Sequence, residues 1–209
     1  MSASARKAAD SEGRLSLRAA KRKVTQDRLV AAAAAAFEAK HYVDVTVDDI
    51  SDRAGTSRAT FYLYYPGKAK ILTDCLREFD QGLAELWDQF EALDEVTLQA
   101  LEVWLVSYVE LYEKHKLLLN TMDQAEAVEP EFRDKTIATA KDTIARWQRL
   151  DAVKSVMKPD DDLELRLLLF TAELQRFLSL WIIHGIAVDR AKAVRKLAEH
   201  WYAVLAGDR

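Results

Sequence analysis

Cysteine, proline and glycine are all scarce in this chain of 209 residues, which contains one cysteine, three prolines and six glycines. The single thiol, Cys75, excludes an internal disulfide and every Cys-x-x-Cys zinc or redox motif. So few turn-forming residues argue against a many-stranded sandwich or barrel and against linker-dominated structure. A globular protein of a reducing compartment remains, and we expect it in the cytoplasm.

A membrane span and a secretory signal are also missing from the pattern. The first residues are basic and polar, without the apolar core of a signal peptide. The longest apolar stretch covers residues 163–186. It is interrupted by six charged or polar residues, Glu164, Arg166, Glu173, Gln175, Arg176 and His184. This stretch predicts a buried helix and no membrane partner.

Motifs of enzymes are absent. The sequence contains no G-x-S-x-G, no G-x-G-x-x-G, no H-E-x-x-H and no Walker A glycine ahead of Gly67-Lys68. The four histidines are scattered along the chain. We therefore expect no catalytic residues, no cofactor and no metal.

Charge is divided unevenly along the chain. Residues 1–72 hold thirteen Lys or Arg and eight Asp or Glu, net +5, whereas residues 73–209 are net −9. A basic N-terminal third in a chain whose remainder is acidic suggests that the N-terminal third binds a polyanion. We expect residues 1–24 to be a flexible basic arm whose Lys21, Arg22 and Lys23 contact DNA; the alternative for the arm is a solubilising tail.

The cap and turn residues that follow the first helix are spaced as in a helix-turn-helix. Thr46, with Asp49 three residues later, is a capping-box variant that opens a short helix. Gly55 supplies the left-handed residue that ends this helix, and Ser57 caps the next one. Two short helices joined by a tight turn containing glycine predict a DNA-binding module.

Residues 25–72 resemble the TetR family of bacterial transcriptional regulators. The resemblance rests on the runs Thr46-Val47-Asp48-Asp49-Ile50, Ala54-Gly55-Thr56-Ser57 and Thr60-Phe61-Tyr62-Leu63-Tyr64-Tyr65, followed by Lys68 and Leu72. It implies a helical protein with an N-terminal DNA-binding domain and a larger domain that commonly binds an effector. It also implies that the last two helices pair across a two-fold axis.

The second short helix is the predicted recognition helix. The fork of Arg58 suits guanine O6 and N7, and Ala59 and Thr60 suit a thymine methyl or a base edge. Phosphate contacts are expected from Thr46, Ser57, Tyr62, Tyr64 and Lys68. A dimer would present two such helices to a pseudo-palindromic double-stranded operator.

The hydrophobic periodicity predicts an all-α protein. Helices are expected over residues 25–40, 46–54, 58–65, 68–92, 96–114, 117–125, 130–154, 163–183 and 190–206. The chain is divided into the arm 1–24, a DNA-binding domain 25–70 and an effector-binding and dimerisation domain 71–209.

Aromatic residues recur at helical spacing in the larger domain, and they form either a solid core or the wall of a cavity. If they line a cavity, its residues are Trp104, Tyr108, Tyr112, Trp147, Phe170, Glu173, Phe177 and Trp181. Glu173 either pairs with Arg176 or faces the polar group of a ligand. The predicted effector is small and largely apolar.

The helix over residues 163–186 is apolar on nearly all sides, so it needs cover on more than one face. We expect one face to meet a second copy of the chain, together with a stripe on the last helix. The expected contacts are Leu174, Leu178, Ile182, Val194, Ala198, Trp201 and Leu205. The alternative is a wholly intramolecular core.

These patterns together predict a homodimeric repressor that a small effector releases from DNA. Two other classes stay open on the sequence alone. One is a helical interaction or scaffold protein that uses the module for protein contacts. The other is an enzyme whose pocket chemistry carries no known motif.

Overall fold

The computed structural model describes residues 3–93, 95–149 and 163–206, with the side chains of residues 18–93, 95–149 and 164–203. The α-helices are α1 Ala3–Ala39, α2 Val47–Arg53, α3 Arg58–Tyr64, α4 Lys68–Cys75, α5 Arg77–Glu91, α6 Leu98–Glu126, α7 Pro130–Arg149, α8 Leu163–Leu178 and α9 Arg190–Ala206. A 3-10 helix, Tyr42–Asp44, precedes α2, and a π-helical turn, Ser179–Ile183, continues α8. No strand occurs in the described ranges, and the all-α prediction is confirmed.

The chain divides into two compact units, Met1–Cys75 and Leu76–Arg209. In the N-terminal unit, α1 packs against α2 and α4, and α2 packs against α3. Its core contains Leu29, Ile50, Phe61 and Leu72, all fully buried. Alanines of the Ala31–Ala36 run are also buried there, because their small side chains let a neighbouring helix approach closely.

The first helix starts earlier than the sequence pattern predicts. The structure continues α1 through residues 3–24, where we expected a flexible arm, and Thr25 lies inside the helix. The Thr25 hydroxyl donates to the Lys21 carbonyl oxygen one turn back, a hydrogen bond within the helix. The segment is rich in alanine, arginine and lysine and has no proline, and these residues favour a helix that continues across its one glycine, Gly13.

In the C-terminal unit, α6 is the central element and contacts α5, α7, α9 and the π-helical turn. It is one continuous helix where we predicted two, because residues 114–117 contain neither glycine nor proline. Conversely, the predicted helix 68–92 is divided at Leu76 into α4 and α5. The last residues of the predicted helix 130–154 lie outside the described ranges.

None of the helices in the described ranges is long and apolar enough to cross a membrane.

Candidate nucleic-acid interface

A complete capping box fixes the start of α2. The Thr46 hydroxyl oxygen accepts from the backbone N–H of Asp49 at 3.1 Å, and the Asp49 carboxylate accepts from the Thr46 N–H at 2.9 Å. Lys40 Nζ donates to the other carboxylate oxygen of Asp49 at 2.7 Å. The lysine and these hydrogen bonds from Thr46 hold the pKa of Asp49 well below its usual range. The box therefore stays charged and intact near neutral pH.

The turn between α2 and α3 needs glycine at position 55. Gly55 has a φ of 61°, which L side chains rarely adopt. Arg28 Nη2 donates to the Ala54 carbonyl oxygen at 2.6 Å, and a Cβ on Gly55 would meet that nitrogen at 3.0 Å. Ser57 then opens α3 by accepting from the Thr60 N–H at 3.1 Å. Arg28, which the sequence pattern did not single out, thus satisfies a carbonyl at the end of α2.

One residue of α3 anchors the helix, and the opposite face is open. Phe61 is fully buried. Arg58 and Ala59 are exposed, as are Tyr62 and Leu63, with 46% and 77% of their surface accessible. The open face therefore combines a guanidinium, a phenol and two apolar side chains. Leu63 was not predicted, although its position one turn after Ala59 places it beside that residue.

Arg58 is held in position but stays accessible. Its Nη1 lies 3.1 Å from a carboxylate oxygen of Asp48, and its guanidinium lies 5.7 Å from the centre of the Tyr62 ring. The Tyr62 hydroxyl oxygen accepts from Nη2 at 3.5 Å. These neighbours, Tyr62 first, raise the pKa of Arg58. Both members of the Arg58–Asp48 pair are more than half exposed, so a stronger acceptor can displace the carboxylate.

Two predicted contacts are half-buried at the edges of α3 and not on its open face. Thr60 has its hydroxyl 2.9 Å from the Ser57 hydroxyl. Tyr64 lies beneath the Arg22 guanidinium, 5.7 Å from the ring centre. Lys21, Arg22 and Lys23 are all exposed, and Lys23 forms a weak ion pair with Asp27 at 3.5 Å. Arg22 therefore connects the basic part of α1 with α3.

Lys68 is placed differently from the prediction of a phosphate contact. Its ammonium donates to the carbonyl oxygens of Tyr42, Val43 and Val45 at 2.8, 3.3 and 3.3 Å. It also lies 4.3 Å from the centre of the Tyr42 ring. Because an ammonium has three hydrogens, these carbonyls use its whole donor capacity. The structure thus gives Lys68 the role of holding the 3-10 helix.

A buried hydrogen-bonded group fixes the end of α3. The hydroxyl of the buried Tyr65 donates to Asp74 Oδ2 at 2.8 Å, and Gln26 Nε2 donates to the same oxygen at 3.2 Å. One carboxylate of α4 thereby connects the end of α3 with α1. Burial and this carboxylate raise the pKa of the Tyr65 phenol. The sequence pattern did not reveal this group, because its members are nine and forty-eight residues apart.

The module coincides with a segment found in known proteins. Residues 29–75 match the family described as bacterial regulatory proteins, tetR family. The HTH-type transcriptional regulator EthR of Mycolicibacterium smegmatis is 41% identical over 44 residues, which are 21% of this chain and 20% of that protein. Residues 29–75 are thus a segment of the kind found in bacterial regulatory proteins of the tetR family. The matched segment is about a fifth of the length of the EthR protein.

Two solved TetR-like structures extend the likeness beyond the module. A transcriptional regulator from Aquifex aeolicus is 17% identical, with a TM-score of 0.63 over 86% of this chain and 99% of that one. The TetR family regulator PfmR from Thermus thermophilus is 22% identical, with a TM-score of 0.58 over 86% of this chain and 94% of that one. At such identities the likeness establishes the fold.

The C-terminal unit encloses a cavity of about 130 Å³. The stacked rings of Tyr108 and Tyr112 form part of its wall. These are the two predicted ligand-binding residues that line it. The other lining residues were not predicted: Phe79, Asp80, Leu83, Leu119, Met122, Asp123, Glu126, Lys135, Thr136, Thr139, Gln175, Ser179 and Ile183.

Three further residues of the predicted cavity belong instead to a packed aromatic cluster, which we define as Trp87, Phe90, Trp104, Trp147, Phe170 and Trp201. Neighbouring ring centres in this cluster lie 3.8–6.1 Å apart. Trp104 donates its indole N–H to the Leu86 carbonyl oxygen at 2.8 Å. Trp104, Trp147 and Phe170 are thus core residues, because their neighbours fill the space that a ligand would need.

The remaining predicted ligand residues lie near the surface and away from the cavity lining. Glu173 pairs with His200 on α9 at 3.1 Å, with both side chains about half exposed, and this partner was not among those predicted. Phe177 and Trp181 are half-buried, and their rings are tilted by 47° with centres 5.8 Å apart.

The predicted dimer contacts are largely buried within their own chain. Leu174, Leu178, Val194, Ala198 and Trp201 are inaccessible, Ile182 is half-buried, and the Leu205 side chain lies outside the described part. The apolar surface of α8 is instead formed by Leu165, Leu168 and Leu169, with 54%, 42% and 62% of their surface exposed. The side chains that we assigned to a partner are therefore packed within their own unit, where α8 contacts α7.

Proposed function

We propose that this protein is a transcriptional repressor that binds a double-stranded, pseudo-palindromic operator as a homodimer and is released by a small effector. The open face of α3 carries this proposal. A short helix with an anchored phenylalanine and an exposed Arg58 has the size and donors needed for the major groove. The organisation also fits a protein that works in the cytoplasm, beside DNA.

Base contacts in this proposal come from the open face. Arg58 leaves Asp48 and donates both branches of its fork to guanine O6 and N7. Ala59 and Leu63 contact thymine methyl groups, and Thr60 a base edge. Phosphates are bound around this face by Thr46, Ser57, Tyr62, Tyr64 and the basic residues Lys21, Arg22 and Lys23. Lys68 takes no direct part.

The second subunit in this proposal is another copy of the chain, docked on the exposed face of α8. Leu165, Leu168 and Leu169 lie within two turns of one another, so one contact surface covers all three. Homodimers bury such faces in a self-complementary way, and two modules then reach two half-sites.

The effector site in this proposal is the cavity beside Tyr108 and Tyr112. Its occupant biases the dimer toward a geometry that no longer fits both half-sites. The π-helical turn Ser179–Ile183, which contributes two residues to the cavity wall, is an element of the kind often found at functional sites.

A gel shift with the DNA that flanks the protein's own gene tests the proposal. We expect a discrete complex whose affinity survives excess non-specific DNA. Arg58→Ala should weaken it strongly, whereas Arg133→Ala, which removes an exposed arginine from α7, should not. Failure of the unaltered protein to prefer any segment of that DNA over random sequence would contradict the proposal.

A further inference from the structure

We infer that the ligand of the cavity is an organic cation, with its ammonium group beside Asp123 and Glu126 and its apolar part against Tyr108 and Tyr112. This inference rests on the proposed effector site and names the chemical class that the site takes.

The charged side chains that line the cavity are mostly acidic. The described residues of the wall carry three carboxylates, on Asp80, Asp123 and Glu126, and one cation, Lys135. Lys135 is engaged by Asp80 at 2.7 Å. The wall therefore holds two further carboxylates, on the exposed Asp123 and the half-buried Glu126, that no lysine of the wall pairs with, and both are open to a bound cation.

The polar contacts of these two carboxylates are hydroxyl groups. The Ser179 hydroxyl lies 3.5 Å from Asp123 Oδ2, and the Thr136 hydroxyl donates to Glu126 Oε2 at 3.2 Å. Hydroxyls satisfy an acceptor but supply no net charge. Acceptor oxygens consequently remain available for the N–H groups of a ligand.

Electrostatics at Asp123 agree with this geometry. Desolvation and then the neighbouring Glu126 raise the pKa of Asp123, and these effects outweigh the opposite influence of His184, Ser179 and Arg176. The neighbouring Glu126 carboxylate thus adds negative potential at Asp123. A cation bound beside it would stabilise the ionised form, whereas an anion would be repelled.

The apolar side of the cavity suits the rest of such a ligand. The rings of Tyr108 and Tyr112 are buried and stacked 5.4 Å apart, and Phe79 meets Tyr112 edge-on at 5.5 Å. Aromatic faces attract ammonium groups within about 6 Å of the ring centre. A volume of about 130 Å³ is close to that of engineered cavities that hold benzene, roughly 150 Å³. The cavity thus accepts a group of one ring.

Titration calorimetry on the full chain, without DNA, tests the ligand class with three probes of one shape. Benzylamine is a cation at neutral pH, benzyl alcohol is neutral and benzoate is an anion. We expect benzylamine to bind at least about tenfold more tightly than benzyl alcohol, because a charged hydrogen bond exceeds a neutral one, and benzoate to bind least.

Substitutions of Asp123 and Glu126 test whether benzylamine binds in this cavity. Asp123→Asn and Glu126→Gln should each weaken benzylamine about 10- to 100-fold and leave benzyl alcohol nearly unchanged. Asp142→Asn is the matched control, since Asp142 is an exposed aspartate of α7 outside the lining. Circular dichroism checks that every variant is folded. If Asp123→Asn does not fold, Glu126→Gln still tests the site.

Each outcome separates this inference from the proposed function. If benzyl alcohol or benzoate binds as tightly as benzylamine, the inference that the ligand is a cation is contradicted, while the proposed effector site is not. Benzylamine affinity that is unchanged in both acidic variants would place the amine elsewhere and overturn the inference, as would no binding of any probe. Loss of operator recognition in the gel shift contradicts the regulator itself and not the ligand class.

Discussion

In the proposed complex with DNA, Arg58 is the residue that we expect to contribute most to sequence specificity. Its guanidinium on the open face of α3 has the geometry to donate to guanine. The exposed ion pair with Asp48 holds this group in position and can be replaced by a base. We expect Arg58→Ala to weaken operator binding about 5- to 150-fold per half-site and to relax the preference at one base position. Binding to a library of single-base operator variants measures this. Equal weakening on every sequence would mean that Arg58 clamps phosphate.

Lys68 should show the opposite behaviour, since its three hydrogen bonds are to backbone carbonyls of its own unit. Lys68→Met keeps much of the apolar stem and removes the donors, so we expect it to lower the free energy of unfolding by about 1–3 kcal/mol. Thermal denaturation measures this, with Lys70→Met, an exposed neighbour, as the control. A variant of unchanged stability whose DNA affinity loses salt dependence would restore the phosphate contact.

At the scale of elements, the helix-turn-helix could be predicted from the sequence because its signals are local. Thr46 and Ser57 each accept a hydrogen bond from the backbone N–H three residues later, of Asp49 and Thr60 respectively. Gly55 provides the positive φ that the turn needs. Such interactions are complete within one helical turn and do not depend on how distant segments pack.

The aromatic stripes of the C-terminal unit could not be assigned in the same way. Trp104 and Tyr108 lie one turn apart on α6, yet the first is enclosed by rings from other helices and the second borders a cavity. Helical spacing is the same in both cases. The difference is made by which helices cross α6 at each level, and this is tertiary information.

The exposed face of α8 yields a prediction about assembly. Leu169→Glu places a charge on this face, and we expect it to convert a dimer into a monomer and to abolish tight operator binding, because desolvating a carboxylate in an apolar interface is costly. Sedimentation velocity measures the mass.

The matched control is Val103→Glu, since Val103 on α6 is exposed to 63% and Leu169 to 62%. It should leave the dimer intact. The formerly predicted Val194 is unsuitable, because it is buried and Val194→Asp would disrupt the unit's own core. A Leu169→Glu protein that is still a dimer with unchanged operator affinity would contradict this interface.

At the scale of the whole molecule, the basic N-terminal third on an acidic chain predicts a strong dependence on salt. Each phosphate that the dimer neutralises should contribute about −0.9 to the slope of log affinity against log salt. Several contacts in each half-site therefore give a steep line. Replacing Lys21 and Lys23 by glutamine should reduce the slope by about one unit for each phosphate that the variant no longer neutralises. Nearly salt-independent binding would exclude a phosphate-contacting surface.

In the proposed mechanism, binding of the effector and binding of the operator are coupled. Binding free energies are reciprocal, so an effector that weakens operator binding must itself be weakened by the operator to the same factor, typically 5- to 150-fold for about 1–3 kcal/mol of coupling. We expect saturating benzylamine to lower operator affinity within that range, and saturating operator to lower benzylamine affinity equally. Fluorescence anisotropy of labelled DNA and calorimetry measure the two sides.

A variant that fills the cavity should remove this coupling without touching the DNA-binding unit. Thr139 on α7 lines the cavity, and Thr139→Phe adds a ring of about the size that the space accepts. We expect operator affinity to stay within twofold of the unaltered protein, a factor worth roughly 0.4 kcal/mol, while benzylamine no longer binds or releases DNA. Ala138→Phe adds the same ring at an exposed neighbouring position outside the lining and should keep the full response. If Thr139→Phe still releases the operator on adding benzylamine, the effector acts from another site, because the space beside Tyr108 and Tyr112 is then occupied by the protein itself.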